Sequence, residues 1–292
     1  MKPPPVKYQR AGDSEEAVGL LSEHGYEAKL LAGGQSLVPL MSYRFVQPGV
    51  LIDLNPATDL DHVGEDNGHL VIGSMTRQRT VETSALVRDR LPVLAEALRH
   101  VGHVTIRNRG TIGGSLAHAD PAAELPVALL ALDGEVVVEG SAGTRTIAAG
   151  DLFVGPMTTA LEPTEILTSV RIPRPDAGTG ASIVELARRH GDFAIVIAMA
   201  LVHLDGNGRC DMARIALGGV EGAPARMKAA ESGLLGAEPS GAAIEAAADA
   251  VAAGVDPMGD IHASESYRRD MTRVFVKRAL AQAVERAKGG VA

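Results

Sequence analysis

Two glycine pairs hold the residue types best suited to chemistry. The first lies in LLAGGQSLVPLM, residues 30 to 41, and the second in TIRNRGTIGGSLAHADPAAELP, residues 105 to 126. In each, an apolar stretch leads into Gly-Gly and a small hydroxyl residue follows: Ser36 after Gly33-Gly34-Gln35, and Ser115 directly after Gly113-Gly114. Glycine tolerates positive φ and has no side chain, so consecutive backbone N–H groups can converge on an anion, and a neighbouring hydroxyl adds a donor. One such pair after a strand is also what a plain turn needs. Two of like composition, 80 residues apart, read as two walls of one phosphate site.

Neither loop carries a standard nucleotide fingerprint. A Rossmann site wants G-x-G-x-x-G leading into a helix with an acidic residue ~20 positions on, and a P-loop wants G-K-[ST]. No lysine follows either pair here. A diphosphate held by neutral donors from two separated loops suits an extended dinucleotide such as FAD, with the backbone at Gly33 and Gly34 closing on the pyrophosphate.

Other chemistry is sparse. The nine histidines form no HxxxH and no compact cluster with carboxylates, His100 and His103 being the one close pair, so no metal site is expected. The lone Cys210 excludes an internal disulfide and cannot by itself hold an iron–sulfur cluster; in GRCDMARIAL it reads as an inert strand thiol. A net charge of −8 argues against nucleic-acid binding. No stretch approaches the ~20 apolar residues of a membrane span, and MKPPPVKYQR lacks the apolar centre of a secretory signal. A cytoplasmic protein is expected.

The elements that must position these loops can be read from pattern. DSEEAVGLLSEHG forms a helix with Asp13 as N-cap, Glu16 three residues on and Gly25 as the stop. EAKLLAGG and GVLIDLN (49 to 55) are strands flanking the first loop, giving a small α/β unit. HLVIGSMT is a strand, LPVLAEALRHVG and AAELPVALLALDG are helices, EVVVEGSAGTRTI is a hairpin through Gly140 to Gly143, and EILTSVRIP is a strand. RPDAGTG (174 to 180) reads as a linker. Beyond it, ASIVELARR, AIVIAMALVHLD and RCDMARIALGGV are antiparallel strands, and alanine-rich helices fill 225 to 253 and 264 to 287. Arg268, Arg269, Arg273, Lys277, Arg278 and Arg286 are expected to form a solvated face.

LAGGQSLVPLMSYRFVQPGVLIDLN together with IRNRGTIGGSLAHADPAAELP resembles the FAD-binding medium subunit of molybdenum hydroxylases, the group of aerobic carbon monoxide dehydrogenase and bacterial xanthine-dehydrogenase-type enzymes. GDFAIVIAMALV and RIALGGVEGAPARMKAAE extend the likeness over nearly the whole chain. The resemblance implies an α+β fold: a vanillyl-alcohol-oxidase (PCMH)-type FAD-binding domain of two α/β subdomains (1–57 and 58–175), then a C-terminal α+β domain with a small antiparallel sheet (180–287). It implies that Ala32, Gly33, Gly34, Gln35 and Ser36 bind the pyrophosphate, joined by Thr111, Ile112, Gly113, Gly114 and Ser115. Glu124, with Asp120 beside it, falls at an acidic position near the adenosine half. Leu167 lines the adenine pocket, and Arg188, Asp192 and Phe193 lie beside the flavin. There the likeness loosens, because relatives often carry a lysine just upstream where this chain has Val184, Glu185 and Ala187.

Several residues also have plainer readings. Asp120 before Pro121 can start a turn or cap the following helix; His118 can contact the flavin or fill the loop; Arg107 and Arg109 can steer phosphates or be ordinary surface arginines beside a loop; Tyr43 and Phe45 read as core anchors rather than ring-stacking partners. With no cysteines for a cluster and no evident acid–base pair, the chain reads as an electron-transfer flavoprotein subunit. The resemblance supplies its partners: a small subunit with [2Fe–2S] clusters and a large molybdenum-pterin subunit, in a dimer of heterotrimers. A self-sufficient flavoenzyme of the same fold and a non-catalytic scaffold are the alternatives.

Overall fold

The first glycine loop leaves the end of a parallel three-stranded sheet. The structure is a computed structural model describing residues 2–289. Strands β1 (Lys7–Arg10), β2 (Ala28–Leu31) and β3 (Val50–Asp53) lie in the order β1-β3-β2, so β3 is central and buried along its length. The helix Ser14–His24 crosses between β1 and β2. Asp13 Oδ1 accepts from Glu16 N at 2.8 Å, and Glu16 Oε2 accepts from Gly12 N at 2.7 Å, a capping box that reaches back one residue further than usual. β1 has no counterpart in the sequence reading: KYQR is mostly polar and exposed, and only its backbone pairing with β3 makes it a strand.

A second, antiparallel sheet follows. β4 (Val63–Asp66), β5 (His69–Gly73), β6 (Glu135–Gly140) and β7 (Gly143–Ala148) join a strand from later in the chain. After a small ribbon of β8 (Phe153–Gly155) and β9 (Thr158–Thr159), β10 (Ile166–Pro173) inserts between β5 and β6. Between β5 and β6 the chain forms short helices, among them Gln78–Thr83, Pro92–His100, Val104–Arg107, Ile112–His118 and Glu124–Ala131. Every residue of the last is buried, which explains an apolar run with no helical periodicity.

The third sheet is antiparallel in sequence order: β11 (Gly180–Ala187), β12 (Ala194–Leu204), β13 (Cys210–Gly218) and β14 (Ala225–Arg226). β12 is buried on both faces. Ile197, Met199 and Leu201 join a core with Leu129 of the helix Glu124–Ala131 and Val136 of β6. Val196, Ala198, Ala200 and Val202 face the opposite core under the helices Lys228–Leu234, Gly241–Gly254 and Glu265–Gly289. Cys210 is buried in this second core.

Two expectations about the C-terminal region need correction. Residues 225 to 253 are not one helical stretch: β14 opens them, and a break at Leu235 separates two helices. The basic face of the last helix is not simply solvated. Arg268 is buried, donating to the carbonyls of Ile195 at 2.7 Å and Gly219 at 2.5 Å and to Asp260 at 2.7 Å. Arg273 and Lys277 reach Glu245 and Asp249 on the neighbouring helix, and Arg286 reaches Glu96. These contacts tie helix to helix and the C-terminal helix to the middle of the chain.

Candidate functional site: a cradle between two glycine loops

The two glycine loops meet, and their glycines are what lets them. A Cβ on Gly33 would stand 2.8 Å from Gly110 Cα and closer still to the Arg109 carbonyl oxygen, while a Cβ on Gly114 would stand 3.4 Å from that of Ala32. A Cβ on Gly113 would be crowded in the same way, 2.5 Å from that of Ser74. Neighbouring protein atoms crowd all three positions: the Arg109–Gly110 backbone at Gly33, Ser74 at Gly113, and the Thr111 hydroxyl at Gly114, 2.6 Å from where a Cβ would stand. Gly34 differs: its φ of +72° is in the left-handed region where glycine carries no penalty.

The loops are not equivalent donors. In the second, the N–H of Ile112 donates to Thr76 O, that of Gly113 to Ser74 O, that of Gly114 to Thr111 Oγ1 and that of Ser115 to Thr111 O. In the first, the N–H groups of Gly33, Gly34, Gln35 and Ser36 have no acceptor among the described residues. Gln35 turns its side-chain amide back to Gly33 O at 3.1 Å. The hydroxyls of Ser36 and Ser115 also have no partner among the described residues. A run of unaccepted N–H groups where the chain turns out of β2 is a nest for anionic oxygen. The second loop closes the other wall and offers a hydroxyl. This donor set has the chemistry to take a diphosphate such as that of FAD without a lysine.

Residues outside both motifs hold the cradle together. Thr111 caps the helix Ile112–His118, and the stretch Ser74–Gln78 runs beside it as a rail, Gln78 N donating to Gly110 O at 2.9 Å. Asn55, at the end of β3, donates to Ala32 O at 3.2 Å and is itself fixed by Asp53. Arg77 donates to Asn55 Oδ1 and to Arg109 O, both at 2.6 Å. Neither Asn55 nor Arg77 stood out in the sequence; DLN and GSMTRQRT read as polar strand ends.

Arg107 is not a surface residue. It is 7% exposed and makes a bidentate pair with buried Glu82, at 2.8 and 3.3 Å, while also donating to the carbonyls of Val101 and Gly102. Burial pushes the Glu82 carboxyl up, but hydrogen bonds from Arg107 and Arg79 outweigh it and hold the group below the usual carboxylate range. Tyr43 and Phe45 are exposed, at 66% and 79%, so they are not core anchors. They follow the helix Leu37–Ser42, which is too short to fold back over them.

The remaining candidates lie further along the chain. Asp120 accepts from Ala122 N at 2.9 Å and so makes a turn; it does not cap the next helix, whose N-cap is Ala123. His118 Nε2 lies 3.9 Å from Asp120. Leu167 is buried in β10 opposite Val138, and its neighbour Thr168 accepts from Ser74 N, one step from Gly113. Arg188 pairs with Asp192 at 3.1 Å, Gly191 packs on Gly102 and His103 just upstream of the second loop, and Phe193 is 72% exposed.

Glu124 is buried at the start of its helix, where its carboxyl meets that of Glu185 on β11. Burial, reinforced by the neighbouring carboxyl, pushes Glu185 up to about 8. Burial also pushes Glu124 up, to about 7, so the pair keeps a proton that two separate carboxyls in water would lose. His100 Nδ1 stands 3.8 Å from Glu185 Oε2, which has no hydrogen-bond partner among the described residues. Burial lowers the pKa of His100, so it does not bring a compensating charge.

The arrangement matches a known domain pair. Residues 4–175 match the family model of the FAD binding domain in molybdopterin dehydrogenase, and residues 181–283 that of the CO dehydrogenase flavoprotein C-terminal domain. The chain belongs to the FAD-binding medium subunits of the molybdenum hydroxylase family. This medium subunit is 42% identical to the 6-hydroxypseudooxynicotine dehydrogenase complex subunit alpha of Paenarthrobacter nicotinovorans, over 99% of the chain and 97% of the relative. It is 39% identical to the carbon monoxide dehydrogenase medium chain of Hydrogenophaga pseudoflava, over 96% of the chain and 97% of the relative. A chain in the solved structure of carbon monoxide dehydrogenase from that organism superposes with a TM-score of 0.96 at 40% identity, covering 98% of this medium subunit and 99% of that chain. The medium subunit is thus an FAD-binding oxidoreductase subunit of mixed helix and sheet, and its relatives are named as parts of multi-subunit complexes. Among the described residues, no helix is long and apolar enough to cross a membrane.

Proposed function

We propose that the chain is the flavoprotein relay of a molybdenum hydroxylase, carrying electrons from [2Fe–2S] clusters of a small partner subunit to an external acceptor. Substrate oxidation falls to a large molybdenum-pterin subunit, within a dimer of heterotrimers located in the cytoplasm. The observation that carries the reading is the run of unaccepted N–H groups at Gly33–Ser36, walled by the second glycine loop, in a chain of this family. Bound FAD supplies reversible uptake and release of one or two electrons. The backbone at Gly33, Gly34, Gln35 and Ser36, with the hydroxyls of Ser36 and Ser115, holds its pyrophosphate. Thr111, Ile112, Gly113 and Gly114 shape the facing wall. Ala32 closes the gap between the walls. Glu124, with Asp120, approaches the adenosine half, Leu167 lines its pocket, and Arg188, Asp192 and Phe193 border the flavin.

The same reading divides the chain into FAD-binding subdomains at 1–57 and 58–175, of the vanillyl-alcohol-oxidase (PCMH) type, and a C-terminal domain at 180–287. The test is purification of the chain with whatever accompanies it, followed by a visible spectrum and a denaturing gel. Flavin bands with iron–sulfur absorbance and two further subunits are expected. Bleaching of the isolated chain by a small substrate would overturn the relay in favour of a self-sufficient flavoenzyme.

A further inference from the structure

We propose that Arg77 is a positioning residue that holds the two glycine loops at the separation a dinucleotide requires. The inference rests on the FAD reading above and concerns residues that neither glycine motif contains. The loops belong to different sheets: the first leaves β2, while the second follows the segment beyond β5. Something must fix the gap between them. Backbone pairing anchors the second loop to its own side, through Gln78 N to Gly110 O and Ile112 N to Thr76 O. Asn55 anchors the first loop to its side, through Ala32 O at 3.2 Å.

Arg77 spans the two anchors. One terminal nitrogen donates to Asn55 Oδ1 and the other to Arg109 O, both at 2.6 Å. The Arg109 carbonyl that Arg77 grips is the same group that presses against Gly33. Behind Asn55 the chain of contacts continues to Asp53, which accepts from Asn55 N at 3.0 Å and from the Tyr8 hydroxyl at 2.5 Å. A planar guanidinium reaches two acceptors at a fixed spacing, which a single ammonium cannot do. The geometry makes Arg77 a strut across the seam, and Gly33 the contact it closes.

The test uses the full-length chain stripped of flavin and titrated with FAD, following quenching of flavin fluorescence and the circular dichroism of the bound flavin bands. Arg77→Ala is expected to weaken FAD binding at least about 10-fold and to alter the flavin dichroism, and Arg77→Lys to recover only part of the loss. Gly33→Ala opens the same gap from the other side. The Arg77→Ala and Gly33→Ala effects on affinity should therefore fail to multiply, the double variant binding little worse than the weaker single one. Wild-type affinity in Arg77→Ala, full recovery in Arg77→Lys, or effects that multiply would each overturn the strut. Failure of the wild-type chain to bind FAD would instead sink the dinucleotide reading itself.

Discussion

Replacing Gly33 with alanine asks whether that glycine is kept for the neighbouring chain and, through it, for the ligand. The new Cβ would stand 2.8 Å from Gly110 Cα and 2.9 Å from the Arg109 carbonyl carbon. Carbon atoms rest about 3.5–4.0 Å apart, so the loops must part by about 1 Å. The obstacle cannot swing aside, because Gly110 is held by Ile106 O at 2.7 Å and by Gln78 N at 2.9 Å. Overpacking of this kind costs the fold about 1–3 kcal/mol. Parting the walls also forfeits at least one hydrogen bond to a charged phosphate, worth about 1.5–3 kcal/mol, or roughly 10- to 150-fold in Kd. FAD titration of the apoprotein, with a thermal melt alongside, measures both quantities. Gly64→Ala in β4, where a Cβ meets nothing within 4 Å, is the control and should bind FAD normally. A folded Gly33→Ala chain that also binds FAD as tightly as wild type would refute the reasoning.

Three further outcomes are expected. Ser36→Ala and Ser115→Ala should each weaken FAD by about 1 kcal/mol, more if the hydroxyl meets a phosphate oxygen directly; unchanged Kd in both removes those hydroxyls from the site. Glu82→Ala strands a buried guanidinium and should lower unfolding free energy by about 3–5 kcal/mol in a denaturant titration, whereas a loss below about 1 kcal/mol would show that Arg107 escapes to solvent. Glu185 and Glu124 have folded pKa values raised from 4.5 to about 8 and about 7, so the unfolded chain sheds protons that the folded chain keeps. Their stabilising contribution is full below pH 4.5 and is lost as pH rises through 7 to 8, with a limiting slope of about 1.4 kcal/mol per pH unit for each differentially bound proton. Glu185→Gln should flatten that decline in Tm between pH 5 and 9, and an unchanged slope would place the proton elsewhere.

Much of the architecture was legible because pattern and punctuation agree. The capped helix after Asp13, the hairpin at Gly140–Gly143 and the long strand Ala194–Leu204 each carry a local signal. The glycine loops were legible as a pair, yet their division of labour was not. Whether an N–H is free or spent depends on Thr76, Ser74 and Thr111 as acceptors, and only the fold brings two of those alongside. Buried arginines were misread for a similar reason. Arg107 and Arg268 look like any basic residue in a helix, and what buries them is Glu82, Asp260 and carbonyls up to 73 positions away. Tyr43 and Phe45 erred the other way, since an aromatic residue marks a core only when a neighbouring element covers it.

The two-faced burial of β12 bears on how the molecule can be divided. The family boundary falls between residues 175 and 181, and a sequence-minded engineer would cut there to obtain a portable flavin module. The apolar packing ignores that seam: Ile183, Ile197, Met199 and Leu201 fill the same interior as Leu129 and Val136. Severing the chain would lay open an oily wall on each fragment, a surface prone to aggregate. The two family segments share one interior across that boundary, so a cut there exposes the core of both rather than releasing a finished module.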